Sequence, residues 1–322
     1  MRFGSCWAKS IFEVNAMDIE NILFPTSIIL ADPIPLHVFL VKGKNYAVWI
    51  DSGIKSMFPA FQETLQRADL RPSDVRFILH THSHHDHIGC NAQIAEWTGC
   101  LIGAPAYYAH WHADFEVHYQ EFARPFPQLV SDTPERRQEV LNPLDAPRPL
   151  DFYLDEGAFY DLGGVTLQAY SLPGHMLAEL GWFEATTRTL ILGDAITGLD
   201  WFLFHGHYTV SGYRNTLNKI VRLLSELKVQ RVVCAHFPAM TPTETVDLVA
   251  KAHDYLDSIE VMLLRILVEK GTATLETLWI ETTSRMNRLQ EFRSLSMIAA
   301  HLEDFAARGV VREIAPHEYT LK

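Results

Sequence analysis

The chain is poor in cysteine. Cys6, Cys90, Cys100 and Cys234 are the four it has in 322 residues, and no two are spaced as CxxC. That excludes a disulfide-stapled scaffold and fits a reducing cytoplasm. No apolar run approaches the roughly 18 to 20 residues a helical membrane span needs. The opening stretch, "MRFGSCWAKSIFEVNA", has neither an apolar core of signal-peptide length nor a small-residue cleavage site, so export is not expected. Basic residues are the minority, with 27 Lys and Arg against 39 Asp and Glu and a formal net charge of −12. Clustered Lys and Arg are what phosphate backbones require, so a general polyanion binder is disfavoured and a small-molecule substrate is expected. Internal repeats and low-complexity tracts are also missing. What remains, 48% hydrophobic and 20% charged residues, is the composition of an ordinary globular protein.

Against this background "HTHSHHDHIG", residues 80–89, is conspicuous, with five histidines and one aspartate in eight positions. Buried imidazoles need partners, and neutral imidazole with carboxylate is a good ligand set for borderline divalent metals. His82 and His84 stand two apart at a strand end and point to one face. Asp86 and His87 begin the following helix and point elsewhere, toward a second ion. Three downstream residues complete the half-sites. His175 in "SLPGHM", Asp194 in "LILGDA" and His236 in "VVCAHF" all follow apolar strands, at the polar strand termini where α/β proteins gather their sites. The resulting expectation is one ion on His82, His84 and His175, another on Asp86, His87 and His236, with Asp194 bridging.

The element pattern is that of an α/β protein. "LHVFLVKG" and "NYAVWIDSG" read as strands around a tight turn, and "RFILHTH", "GVTLQAYS", "LGWF", "TLILGDA" and "RVVCAHF" as further strands. "DHIGCNAQIAEW" reads as a helix stopped by Gly99, and Leu217, Ile220, Val221 and Leu224 mark an amphipathic helix. Residues 105–150, rich in aromatics, histidine and then proline, read as a lid-like insertion. Residues 245–322 read as three helices and a terminal hairpin, a small winged-helix-like unit following a catalytic domain over 18–240. From Tyr255 onward that unit has 8 basic against 10 acidic residues, which favours packing, dimerisation or pocket-shaping over nucleic-acid binding.

"THSHHDHIG", "PGH", "GDA" and "AHFP", in this order over residues 18–240, resemble the metallo-β-lactamase superfamily, specifically the dinuclear branch that includes glyoxalase II and many lactonases. The resemblance implies an αββα sandwich with metals at one sheet edge and a metal-bridging hydroxide as nucleophile. It implies two divalent ions, zinc first and manganese or iron next, on the seven residues above, with Asp86 also orienting the water or carrying a proton to the leaving group. "AHFP" stands where many relatives have GHG, and the residues that hold glutathione in glyoxalase II are not locatable. Only 42 positions separate Asp194 from His236, which excludes the nucleic-acid-processing branch with a large insertion there. The expected activity is hydrolysis of a small apolar ester, thioester or lactone. A mononuclear iron persulfide dioxygenase, a phosphodiesterase or nuclease, and a weakly catalytic ligand-binding regulator are the alternatives.

Other residues carry weaker expectations. His80 reads as a buried neighbour of the ligands and Asp51, in "DSG", as a support for one of them. His85 is divided between pocket wall and surface. His110, His112 and His118 read as lid packing, His205 and His207 as loop packing or pocket contacts, and Cys90 and Cys234 as packing.

Overall fold

The computed structural model describes residues 19, 21–31, 34–197 and 206–322. Cys6 and His205 lie outside the described residues, as does the first residue of the expected catalytic domain.

Two sheets form the centre. The first contains β1 (Leu23–Ala31), β2 (Ile34–Lys42), β3 (Ala47–Ile50), β4 (Val75–Leu79), β5 (Leu101–Pro105) and β6 (Phe152–Leu154) in that spatial order. The first three strands pair antiparallel and β3 to β6 pair parallel. The second runs in the order β11-β10-β9-β8-β7, built from β7 (Phe159–Asp161), β8 (Thr166–Ser171), β9 (Leu180–Glu184), β10 (Thr189–Ile191) and β11 (Arg231–Val233). A small third sheet, β12 (Thr272–Thr274), β13 (Val311–Ala315) and β14 (Glu318–Leu321), has β14 in the middle.

The helices cover the outer faces of the two central sheets. On the first sheet lie α1 (Phe58–Arg67), the single turn α2 (His85–Ile88) and α3 (Asn91–Thr98). The helix expected over 86–97 is thus broken after Ile88, and Gly99 closes it at φ +76°, a conformation that suits glycine. The insertion folds as α4 (Ala109–Ala113), α5 (Phe115–Ala123) and α6 (Pro134–Leu141). The second sheet is covered by α7 (Val210–Glu226) and α8 (Pro242–Lys270), and α9 (Leu275–Arg285) and α10 (Phe292–Ala307) follow.

Burial explains the layering. Val41, Val48 and Ile50 of the first sheet face Leu167, Ala169 and Trp182 of the second across a shared core. The alternate residues of β2 and β3, such as Leu40 and Trp49, turn outward onto Phe61, Leu65 and Ile94 of the helices. On the far side Leu190 and Leu192 meet Leu217, Ile220 and Leu224 of α7 together with Val249 and Leu256 of α8. The order is helix, sheet, sheet, helix, and the apolar stripe read from 217 to 224 is the one that is buried.

Helix α8 starts on a Thr241 capping box and continues for 29 residues without a break. Its first half serves the second sheet, while Ile259, Leu263 and Ile266 enter another core. That other core is made jointly by α9, α10, the third sheet and the insertion residues Tyr108, Trp111, Tyr119 and Phe122. Most of the insertion's aromatic rings therefore pack with the C-terminal helices.

Candidate metal centre

All seven residues singled out as candidate ligands are buried; five follow the carboxyl ends of strands in the two sheets, and Asp86 and His87 stand on α2. His82 and His84 follow β4, His175 follows β8, Asp194 follows β10 and His236 follows β11. His82, His84, His175 and Asp194 bring one ligand atom each to within 4.8 Å of one another, and Asp86, His87 and His236 form a second such group. Asp194 touches both groups: its Oδ2 is 3.6 Å from His175 Nε2 and 3.3 Å from His236 Nε2, and its Oδ1 is 3.5 Å from His87 Nε2.

The far side of three of the rings is engaged, which fixes the near side. His87 Nδ1 donates to Asp51 Oδ2 at 2.9 Å, His175 Nδ1 to the Gly206 carbonyl at 2.7 Å, and His236 Nδ1 to the Pro35 carbonyl at 2.7 Å. Each leaves its Nε2 toward the centre, the outer-partner arrangement usual for metal-binding imidazoles. His82 Nε2 and His175 Nε2 both point at His84 Nδ1, at 3.2 and 2.9 Å. Three imidazole nitrogens so close repel through their lone pairs unless a proton or a cation lies between them.

Electrostatics point the same way. Burial disfavours a charge on His82 and His84 and drives their pKa values well down. Burial also opposes protonation of His87, yet Asp194, Asp51 and Asp86 outweigh it and raise its pKa well above the usual imidazole range. For His236 the same burial is overcome by Asp194 and Asp86, which lift its pKa to about 10. Protons thus stand where the carboxylates require positive charge. Among the described residues His87 Nε2 and Asp194 Oδ1 are buried without a hydrogen-bond partner. These donors fit divalent ions, and the residues can hold them in the two groups given above.

The supporting residues were partly visible in the sequence. Asp51, at the end of β3 with φ +63°, accepts four contacts: Thr81 N and Oγ1 at 2.8 Å each, His87 Nδ1 at 2.9 Å and His80 Nδ1 at 3.3 Å. His80 Nε2 also meets Asn91 Oδ1 at 2.9 Å, so it is a buried neighbour as expected. Asn91 passes the contact to His112 Nδ1 at 3.2 Å, and His112 Nε2 meets Ser83 Oγ at 3.0 Å, which ties the insertion to the ligand loop. His110 is on the surface with Glu121, while His118 is buried and stacked on Trp111. His85 lines the cavity, as does His207, which also meets His301 at 3.1 Å. Cys90 and Cys234 are packed in the core.

Two residues escaped the sequence reading. Glu179 is buried in "MLAELGW" and its Oε1 accepts from the Asp194 backbone N–H at 3.0 Å. Burial, then the Asp194 charge, raises its pKa well above the carboxylate range. Gly193 beside it adopts φ +56°, and a Cβ there would meet Thr81 Oγ1 at 2.6 Å. The second missed residue is Arg293 of α10, which lines the same cavity as His84, Asp86, His175, Asp194 and His236. The cavity, about 350 Å³, is otherwise walled largely by Leu30, Ile34, Ile54, Phe122 and Pro143. Of the insertion's aromatic rings, Phe122 is the one on this wall.

This chain belongs to the metallo-beta-lactamase superfamily, whose family model matches residues 31–236. It is 25% identical over 154 residues to a hydroxyacylglutathione hydrolase of Haemophilus influenzae, covering 48% of this chain and 62% of that protein. It is 26% identical over 161 residues to a probable metallo-hydrolase of Bacillus subtilis, covering 50% of this chain and again 62% of that protein. The chain thus spans less than two thirds of the length of these curated relatives. Among solved structures, a metallo-beta-lactamase family protein from Thermus thermophilus superposes with TM-score 0.69 at 19% identity, covering 93% of this chain and 98% of that one. A beta-lactamase domain protein from Burkholderia ambifaria does so with TM-score 0.70 at 15% identity, with 94% of both chains covered. These likenesses establish the fold. The family implies a divalent-metal-dependent hydrolase, and no helix among the described residues is long and apolar enough to cross a membrane.

Proposed function

We propose that the chain is a dinuclear hydrolase of small, largely apolar acyl compounds (esters, thioesters or lactones), with zinc as the first choice of metal and manganese or iron next. In this reading residues 18–240 are the catalytic domain and 245–322 a winged-helix unit that shapes the pocket. The observation that carries it is the pair of ligand groups meeting at Asp194 beneath a mostly apolar cavity.

When bound, two such ions supply Lewis acidity, bringing the pKa of a coordinated water to about 7 and polarising the acyl carbonyl. The protein residues do the rest. His82, His84 and His175 would hold one ion, and Asp86, His87 and His236 the other. Asp194 stands between the two groups, with its backbone pinned by Glu179 and its position secured by the tight Gly193 turn. Asp86, on the cavity wall, would orient the attacking water, or would take a proton from it and pass that proton to the departing oxygen or sulfur. Leu30, Ile34, Ile54 and Phe122 receive the acyl group and exclude water from it.

Metal analysis combined with a substrate panel tests this reading. Fully loaded protein should hold two equivalents of metal and hydrolyse aryl esters, acyl lactones and acyl thioesters with higher kcat/KM than an aryl phosphodiester. One stable equivalent of iron with oxygen consumption would instead identify a persulfide dioxygenase, and preference for the phosphodiester would identify a phosphodiesterase or nuclease. Tight ligand binding with negligible turnover would identify a regulator.

A further inference from the structure

The cavity wall farthest in sequence from the ligands comes from the start of α10, where Arg293 is 16% exposed and bound by two carboxylates. Its NH1 contacts Glu291 Oε2 and its NH2 contacts Glu139 Oε1, both at 2.7 Å. The guanidinium stacks over Phe292 at 4.2 Å and over Phe122 at 5.7 Å. The Phe122 ring is in turn 4.8 Å from the His84 ring. One aromatic ring therefore separates the cation from a residue of the metal centre, and a small substrate can span that gap.

The two carboxylates are not equivalent. Glu291 is 16% exposed, precedes the first turn of α10 and takes part in its capping box. It is fixed to the helix end through its backbone, whose N–H donates to Ser294 Oγ at 3.2 Å, and is the less exposed of the two partners. Glu139 is 50% exposed, stands on α6 of the insertion and also lines the cavity. An ion pair with one partner this exposed is worth little, so exchange of one carboxylate for another costs little. Arg293 itself is largely covered and must keep a counter-charge, since a cation withdrawn from water without a partner is disfavoured. The guanidinium also has more N–H donors than the two contacts use, in a fork that suits a carboxylate.

We infer that Arg293 is a specificity-determining residue that anchors a carboxylate at the end of the substrate remote from the scissile bond, and that Glu139 holds this place until the substrate displaces it. The favoured substrate is then an acyl compound with an apolar middle, lying along Phe122, and an anionic tail. This rests on the hydrolase reading above but is separable from it, because neutral esters report on hydrolysis alone.

The test pairs substrates that differ only at the tail: a monoaryl adipate against the aryl hexanoate, and a monoaryl pimelate against the aryl heptanoate, each corrected for spontaneous breakdown. The metal-loaded wild type should favour the carboxylate member of at least one pair by kcat/KM. R293Q should lower that ratio by roughly tenfold to a hundredfold, the range for a hydrogen bond to a charged group. E139Q should raise it, since the competing charge is gone. Calorimetric binding of the corresponding slowly hydrolysed anilides gives a second readout, with tails ending in methyl, carboxylate or ammonium. The order expected is carboxylate first in wild type and E139Q. Should R293Q fail to fold, E139Q decides alone: a ratio unchanged from wild type overturns the inference. So does a carboxylate preference that survives R293Q, or an ammonium tail bound best. Failure to hydrolyse any neutral ester would instead defeat the hydrolase reading itself.

Discussion

The residue that decides the chemistry of this centre is Asp194, because it faces a histidine of each ligand group. Asp194→Asn preserves its shape and removes its charge and its capacity to bridge. Hydrolysis should drop by orders of magnitude, while His80→Gln, which touches Asp51 and Asn91 rather than the centre, should cost far less; equal losses would show that the ligand assignment is wrong. Asp51 acts one step away, through His87 Nδ1. Asp51→Ala frees that ring to turn, so metal affinity should fall about 10- to 100-fold, the usual range for an outer partner. Competition with a chromophoric chelator measures this, and the loss should fall on the ion held by His87 rather than on the one held by His82, His84 and His175.

Among the elements, α5 is the one that places a ring between the centre and the C-terminal helices. Phe122 packs on both His84 and Phe292, so Phe122→Ala should lower stability by about 3 to 5 kcal/mol in denaturant titrations. It should also raise KM most for the bulkiest acyl substrate, which loses the most buried area. Most of the elements could be read in advance because their periodicity is local: the stripe of α7, the β2–β3 hairpin and the strands ending in His82, Asp194 and His236 each carry their own pattern. The candidate ligands that the structure brings together were legible for the same reason, four of them lying in one short motif and the rest at strand ends. Glu179 was not, because its role is a single hydrogen bond to a backbone group on another strand, and no spacing rule encodes that. Arg293 was invisible for a stronger reason. It reaches the cavity only once α8 has carried the chain across to the insertion, a tertiary event that no window of sequence contains. The insertion's aromatic rings are the complementary case, since composition shows that such rings are buried but not against what.

At the scale of the whole molecule, histidines outside the candidate ligand set are also buried with lowered pKa values. Burial, then the neighbouring His236 charge, lowers His37 to about 4, and burial, then His175 and Arg214, lowers His207 to about 3. In the unfolded chain both take up a proton near pH 6.5. Between that pH and the folded values unfolding binds extra protons, so stability falls as pH falls, by about 1.4 kcal/mol per pH unit for each such histidine. Thermal melts from pH 7 to 4 should show this slope, and His37→Gln should flatten it; an unchanged slope would remove His37 from the account.

Helix α8 has a consequence for how the molecule comes apart. One uninterrupted rod contributes to the core behind the second sheet and to the core shared by the insertion and α10. Neither half can melt without stripping cover from the other, so the chain should behave as one cooperative unit in spite of its length. Calorimetry should give a single endotherm whose van't Hoff and calorimetric enthalpies agree, and limited proteolysis between residues 236 and 250 should release no folded fragment. Two resolved endotherms would show that the rod can be cut thermally at its middle. If they are not seen, a substitution such as Leu263→Ala, costing about 2 to 5 kcal/mol, should lower the melting point of the metal-bearing half as much as that of its own. Damage far from the ions would then be felt at the ions, and natural variation along α8 would be constrained by both halves at once.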